Sequence, residues 1–215
     1  MSGVLSRFRP GRRRWLASLL LCGLFVAAPS PAADGPGDAL GGPALLSALR
    51  AGGLILYFRH TSTDFGQNDD QMTGYEDCAR QRNLTDGGRD EARAIGAAIV
   101  RLRIPIGDVL ASPFCRTRET AQLIFGRMRV DAAVRGGPAS NDASDRYAAL
   151  RRLLSTPPAA GTVLAIASHG NPFRAVAGTP YLAEGEAAVV QPLGPVGFRV
   201  VARIPKDGWG ALEAR

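Results

Sequence analysis

The chain has two histidines in 215 residues, His60 and His169. Each stands where an apolar run meets polar residues, in "ILYFRHTST" (Ile55–Thr63) and in "VLAIASHGN" (Val163–Asn171). Arg59 precedes the first. Between the two lies "SPFCRTRETA", which carries Arg116. An imidazole at a strand end is a packed core group, a metal ligand or a reacting group. A zinc site from His60, His169 and Cys115 is disfavoured, because no HxxxH or CxxC pair is present and the adjacent arginines repel a cation. An imidazole with one nitrogen unprotonated attacks near neutral pH without a separate base. Planar guanidiniums match phosphoryl oxygens with paired hydrogen bonds. Two histidines and two arginines therefore suit a phosphoryl group handled without a metal.

Elements must bring these residues together. Leu54–Phe58 reads as a fully buried strand, Asp108–Ser112 as a second and Thr162–Ser168 as another. Val130–Val134 reads as an edge strand. Residues 187–192 and 197–204 read as a closing pair around a Gly/Pro turn. Between them lie helical patterns. Pro43–Ala51 is short. A longer helix capped by Thr85 or Asp86 ends at Pro105, with Ala92, Ile95, Gly96, Ile99 and Leu102 at helical spacing. Others cover residues 115–126, 144–155 and the stretch up to Gly178. Strands alternating with helices predict one α/β domain, a three-layer α/β/α sandwich with a mostly parallel sheet and an antiparallel edge strand. In such sheets ligands bind beyond the carboxyl ends of the strands. If the three histidine- and arginine-bearing segments are neighbours, Arg59, His60, Arg116 and His169 converge in one crevice.

The motifs "RHT", "SPFCRTRETA" and "SHGN", with the helix opening "LTDGGRDEA", resemble those of the histidine phosphatase superfamily, the phosphoglycerate mutase-like fold. The resemblance spans roughly Leu54 to Ile204. It implies that His60 is the nucleophile and becomes a phosphohistidine. It implies that Arg59, Arg116 and His169 form the phosphate pocket, that no metal or other cofactor takes part, and that the partner is a small phosphorylated substrate. The activity implied is phosphomonoester hydrolysis. A phosphomutase and a phospho-ligand binding protein that has lost turnover are the alternatives.

The proton donor to the leaving group is the open position. Where the mutase branch has a glutamate after the second motif, this chain has none. Where the phytase-like branch has an aspartate after the second histidine, it has Gly170. Glu184 and Glu186 stand at the start of the strand "EAAVV", and their spacing of two puts both on one face if extended. One of this pair is the expected acid, with Asp64, Asp131 and Asp142 as the alternatives. Thr61, Asn171 and the amides opening the helix at Cys115 either meet the substrate or serve local turns and caps. The long loop 62–84, with Tyr75, Glu76, Asp77 and Arg80, is expected to shape specificity. Cys78 and Cys115 either form a disulfide that pins this loop or stay two buried thiols.

The formal charge of +7 invites a nucleic-acid partner. Its location argues otherwise. Five of the 26 basic residues and no acid lie before residue 33, so the remainder carries 21 basic against 19 acidic residues, a net +2. No nucleic acid is expected. Those five arginines instead precede the apolar run Trp15–Ala28 and the small-residue stretch "APSPAADG", the three parts of an export signal. Residues 1–32 are read as a signal peptide, 33–42 as a flexible tether and 43–215 as the domain. The apolar run is short for a membrane span, though an uncleaved anchor is the alternative. "RRRWL" also resembles a twin-arginine signal. The expected location is the periplasm or the exterior, with no membrane contact after cleavage. Oligomeric state is not legible.

Overall fold

The structure, a computed structural model, describes residues 40–135 and 146–213, all within the unit Pro36–Arg215. The expected signal peptide, the tether up to residue 39, Asp142 and the first two residues of the helix expected at 144–155 lie outside them.

Six strands form one sheet in the order β3-β2-β4-β1-β5-β6. They are β1 (Ile55–Arg59), β2 (Ile106–Ala111), β3 (Arg129–Val130), β4 (Val163–Ser168), β5 (Ala187–Pro192) and β6 (Phe198–Ile204). The first four run parallel, β5 is antiparallel to β1, and β6 is antiparallel to β5. The antiparallel strand beside β1 is thus covered by β6, which takes the edge. β1 is central, which is why its sequence is a continuous apolar run rather than an alternation. Ile55, Leu56, Tyr57 and Phe58 are all fully buried. Burying each such side chain stabilises the fold by about 1.5–3 kcal/mol.

Helices cover both faces. Leu56 and Phe58 face α1 (Gly42–Ala51), α2 (Asp86–Arg101) and the end of α3 (Cys115–Phe125), where Trp209 stacks on Phe58. Ile55 and Tyr57 face α4 (Ala148–Ser155) and α5 (Gly170–Ala177) through Leu150, Leu154 and Phe173. The three-layer sandwich expected from the alternating pattern is present. Two details differ. The expected strand Val130–Val134 is a two-residue strand, because Asp131 accepts from the Ala133 amide and turns the chain into a 3₁₀ segment. A 3₁₀ segment at Gly208–Leu212, which buries Trp209 and Leu212, carries too short a pattern to be legible.

Candidate active site

The register of the central strands assembles the site. Arg59 pairs with Ser168 and Ala111 with Ala167, so the residues just beyond them meet at one end of the sheet. These are His60, His169 and Ser112. The His60 amide donates to the Ser168 carbonyl at 3.0 Å, extending the ladder by one residue, and the Ser112 amide donates to the Ala167 carbonyl at 2.9 Å. A crevice of about 690 Å³ opens there, lined by Arg59, His60, Arg116, His169 and, among others, Arg82 and Tyr181. All four residues expected to converge do so.

His60 is 2 % exposed. Its Nδ1 lies 2.9 Å from the Thr61 carbonyl oxygen, which can only accept, so Nδ1 carries the proton. Nε2 therefore keeps its lone pair. Burial pushes the imidazole down to about 3, against the pull of the Thr61 bond, and Arg116, Arg59 and Arg82 push it further the same way. His169 is also held well below the ordinary value, by burial first and then by His60 and the arginines. Its Nε2 is 2.8 Å from Ser112 Oγ, and its ring meets the edge of Phe114 at 5.0 Å.

Neutral buried histidines make stability depend on pH. Their folded values lie below the unfolded value near 6.5, so on acidification the unfolded chain takes up protons first. Their contribution is complete above about pH 6.5 and is lost as pH falls toward about 3 for His60. The melting temperature is expected to drop between about pH 6.5 and 4.5, and less steeply in His60→Asn. Equal slopes in the two proteins would contradict the assignment.

Arg59 and Arg116 are fixed from behind. Arg59 donates from Nη1 to the Leu182 carbonyl at 2.9 Å and from Nη2 to Glu184 Oε1 at 3.2 Å. Arg116, in the first turn of α3, meets both oxygens of Asp69 at 2.9 and 3.0 Å and lies over the Phe114 ring. The Nε atoms of Arg116 and Arg82 are buried and have no protein partner. Such donors are costly unless an acceptor arrives, and both residues line the crevice. The arrangement can take a phosphoryl group on guanidinium edges with an unprotonated imidazole nitrogen beside it.

The helix-opening motif supports the segment after His60 from the other side. Thr85 caps α2 by accepting from the Gly88 amide at 2.9 Å. Glu91 accepts from the amide and the hydroxyl of Ser62, and Lys206 holds Glu91 at 2.7 Å. Gly88 has to lack a side chain, since a Cβ there would lie 2.1 Å from the Ser62 carbonyl oxygen. The motif thus fixes the backbone two residues past His60.

The expected acids are not in the crevice. Glu184 lies behind the His60 ring, with Oε1 3.8 Å from His60 Nδ1, and accepts from Arg59, the Thr63 hydroxyl and the Thr63 amide. Glu186 accepts from the Ala183 amide at 2.7 Å and pairs with Arg203. Gly185 has φ +75°, so the pair is not extended and the spacing of two does not align them. The Gly185 amide donates to the His60 carbonyl at 2.9 Å, which pulls this turn to the rear of the imidazole. Of the alternatives, Asp64 accepts from the Gly66 amide on the exposed side, and Asp131 caps its own turn and pairs with Arg129. The carboxylates that do line the crevice are Asp69 and Asp70.

The loop contributes through residues other than those expected. Gln67, Asn68, Asp69, Asp70, Met72 and Arg82 face the crevice. Tyr75 instead packs on Phe114, Glu76 pairs with Arg118, and Asp77 pairs with Arg80. Cys78 and Cys115 are joined, with Cα atoms 5.7 Å apart, so Cys115 is not a metal ligand. Gln81 accepts from the Cys115 amide at 2.9 Å, and the Phe114 carbonyl accepts from the Thr117 and Arg118 amides, so these three amides do not reach the crevice. Thr61 is spent on Thr120. Asn171 accepts from the Tyr181 hydroxyl. The Tyr181 ring occupies the space over Gly170, where a Cβ would come within 2.2 Å of it, so an aspartate after His169 has no room.

The sequence profile of the histidine phosphatase superfamily (branch 1) matches residues 55–137. No curated protein matches the chain in sequence. Among solved structures, a histidine-to-alanine form of phosphoserine phosphatase from Entamoeba histolytica is similar, with a TM-score of 0.51 and 11% identity, over 72% of this chain and 98% of that one. The protein histidine phosphatase SixA complexed with tungstate gives 0.50 and 17%, over 71% and 97%. SixA from Agrobacterium tumefaciens, described as a phosphohistidine phosphatase, gives 0.48 and 15%, over 70% and 97%. At these identities the first two structures speak for the fold alone. The profile match begins at β1 and runs through the arginine-bearing start of α3, so this part of the chain is similar to the histidine phosphatase superfamily.

Proposed function

We propose that this protein is an exported phosphomonoester hydrolase that works through a phosphohistidine on His60 Nε2, with no metal. The observation that carries the reading is the tautomer. The Thr61 carbonyl holds the proton on Nδ1, and Nε2 stands in a crevice lined by Arg59, Arg82, Arg116 and His169. In the first step the Nε2 lone pair forms the N–P bond while the P–O bond to the leaving group breaks, and the leaving oxygen takes a proton. In the second, water attacks phosphorus and returns a proton to the group that gave one in the first, the N–P bond breaks, and phosphate leaves with His60 neutral again. The guanidiniums offset the charge on the phosphoryl oxygens in both steps. Asp70 is the proposed proton donor, because it lines the crevice and no described side chain pairs with its carboxyl group. The phosphoserine bound to the similar Entamoeba enzyme supports a small phosphorylated substrate. Export rests on the arginine-led apolar segment before residue 33. Among the described residues no helix is long and apolar enough to cross a membrane.

The protein without its first 32 residues is expected to release phosphate from p-nitrophenyl phosphate at the same rate with and without EDTA. Loss of activity with EDTA would contradict the metal-free mechanism. The position of Glu184 and Glu186 outside the crevice favours one second reading, a phospho-ligand binding protein of the same fold. It predicts phosphate-dependent thermal stabilisation without turnover.

A further inference from the structure

Asp69 faces the crevice but is not free to act there. Its Oδ1 accepts from Arg116 Nη1 and from the Arg82 amide, each at 2.9 Å, and its Oδ2 accepts from Arg116 Nη2 at 3.0 Å. All three donors are groups that cannot become acceptors. Three of its four lone-pair sites are taken, and a proton on the fourth would forfeit the charge that holds Arg116.

The donor count on Arg116 shows what the contact achieves. A guanidinium has five N–H groups in a fixed fork. Nη1 uses both of its own, on Asp69 and on the Arg82 carbonyl at 3.2 Å. Nη2 uses one on Asp69. One N–H on Nη2 and the one on Nε remain, and they lie side by side on the other edge of the plane. That Nε is buried with no protein partner, in a residue 5 % exposed that lines the crevice. Two parallel N–H bonds are the geometry that binds two oxygens of a phosphoryl group. With the Nη1–Nη2 end occupied by a carboxylate, the Nε–Nη2 edge is the one left for substrate.

We propose that Asp69 is a positioning residue of the phosphate pocket: it turns the Nε–Nη2 edge of Arg116 to the phosphoryl group and is not the proton donor. The loop that carries it is tied to the same helix turn by the Cys78–Cys115 bridge and by Gln81 on the Cys115 amide, one residue from Arg116. The inference rests on the phosphatase reading of the site.

Asp69→Asn keeps the size of the side chain and removes the paired charged contact. Three quantities are read in the wild type and the variant: inhibition by inorganic phosphate, kcat/KM for p-nitrophenyl phosphate, and kcat/KM for an alkyl phosphate with a poor leaving group. Positioning predicts that phosphate inhibition weakens by about tenfold and that both substrates lose the same factor. A proton donor predicts a large loss on the alkyl ester, little change on the nitrophenyl ester and unchanged phosphate inhibition; that result, or no change at all, overturns the proposal. The double variant Asp69→Asn/Arg116→Lys guards against a merely structural effect. If Asp69 acts through Arg116, it is no worse than Arg116→Lys alone, and full additivity overturns the proposal. If Asp69→Asn does not fold, Asp69→Glu, which keeps the charge but displaces it by one methylene, takes its place in the same comparison, with the same outcomes. A wild type that neither binds phosphate nor turns over would sink the phosphatase reading itself, whereas a normal wild type beside an unaltered variant sinks only the role of Asp69.

Discussion

His60→Ala is expected to lower kcat for p-nitrophenyl phosphate on the order of 10⁴-fold or more, the range seen when a covalent nucleophile is removed. Nothing else in the crevice replaces it. Ser112 is a hydroxyl bonded to His169, and His169 has its Nε2 committed to Ser112. The site around the missing ring otherwise persists, because the backbone at residue 60 is held by its own bonds to Ser168 and Gly185. The variant loses the partner of the Thr61 carbonyl and leaves a small void, a destabilisation of about 1–3 kcal/mol. It is therefore expected to fold and to keep binding inorganic phosphate through Arg59, Arg82 and Arg116. A variant that turns over at the wild-type rate would remove the nucleophile assignment.

Arg116→Ala is expected to cost about 10²–10³ in kcat/KM, by analogy with the loss of one charge-stabilising donor at a reacting oxygen. The guanidinium is the most deeply set positive group in the crevice, with 6 % of its side chain exposed. Its removal takes away the Nε–Nη2 edge and leaves the Asp69 carboxylate facing the crevice with only the Arg82 amide on it. That carboxylate then repels the phosphoryl oxygens, so the variant should be worse than one that simply lacks a donor. Arg116→Lys keeps a charge but cannot hold Asp69 and offer a paired edge at once, because an ammonium is a point donor. It should recover only part of the loss. An Arg116→Ala rate within about threefold of the wild type would contradict the role given to this residue.

How far the site could be read from the sequence depends on what fixes each residue. His60 and His169 end long apolar runs, and runs of that kind are central parallel strands whose carboxyl ends meet. Arg116 stands one residue into a helix marked by Pro113 before it and by Gly126, at φ +71°, after it. Those positions follow from periodicity and breakers, so they were legible. Glu184 and Glu186 were misread because a spacing of two means one face only in an extended chain, and a left-handed glycine between them makes a turn. Asp69 and Arg82 lie in an aperiodic loop, where no pattern says which side chain points inward. The one available signal was the position of Arg82 in "QRNLT", just before the capped start of α2 and three residues from the Thr85 cap. The bridge between Cys78 and Cys115 depends on a contact across 37 residues, which sequence leaves open.

The central claim is that His60 Nε2 carries the phosphoryl group. It is tested most directly by mixing the protein with p-nitrophenyl phosphate, quenching in alkali within one turnover, and locating any added phosphoryl group by mass spectrometry. The prediction is one phosphoryl group on the peptide containing His60, stable in alkali, lost on acid treatment, and absent in His60→Ala. Turnover with no label on that peptide, or with the label on a serine or threonine, would contradict it.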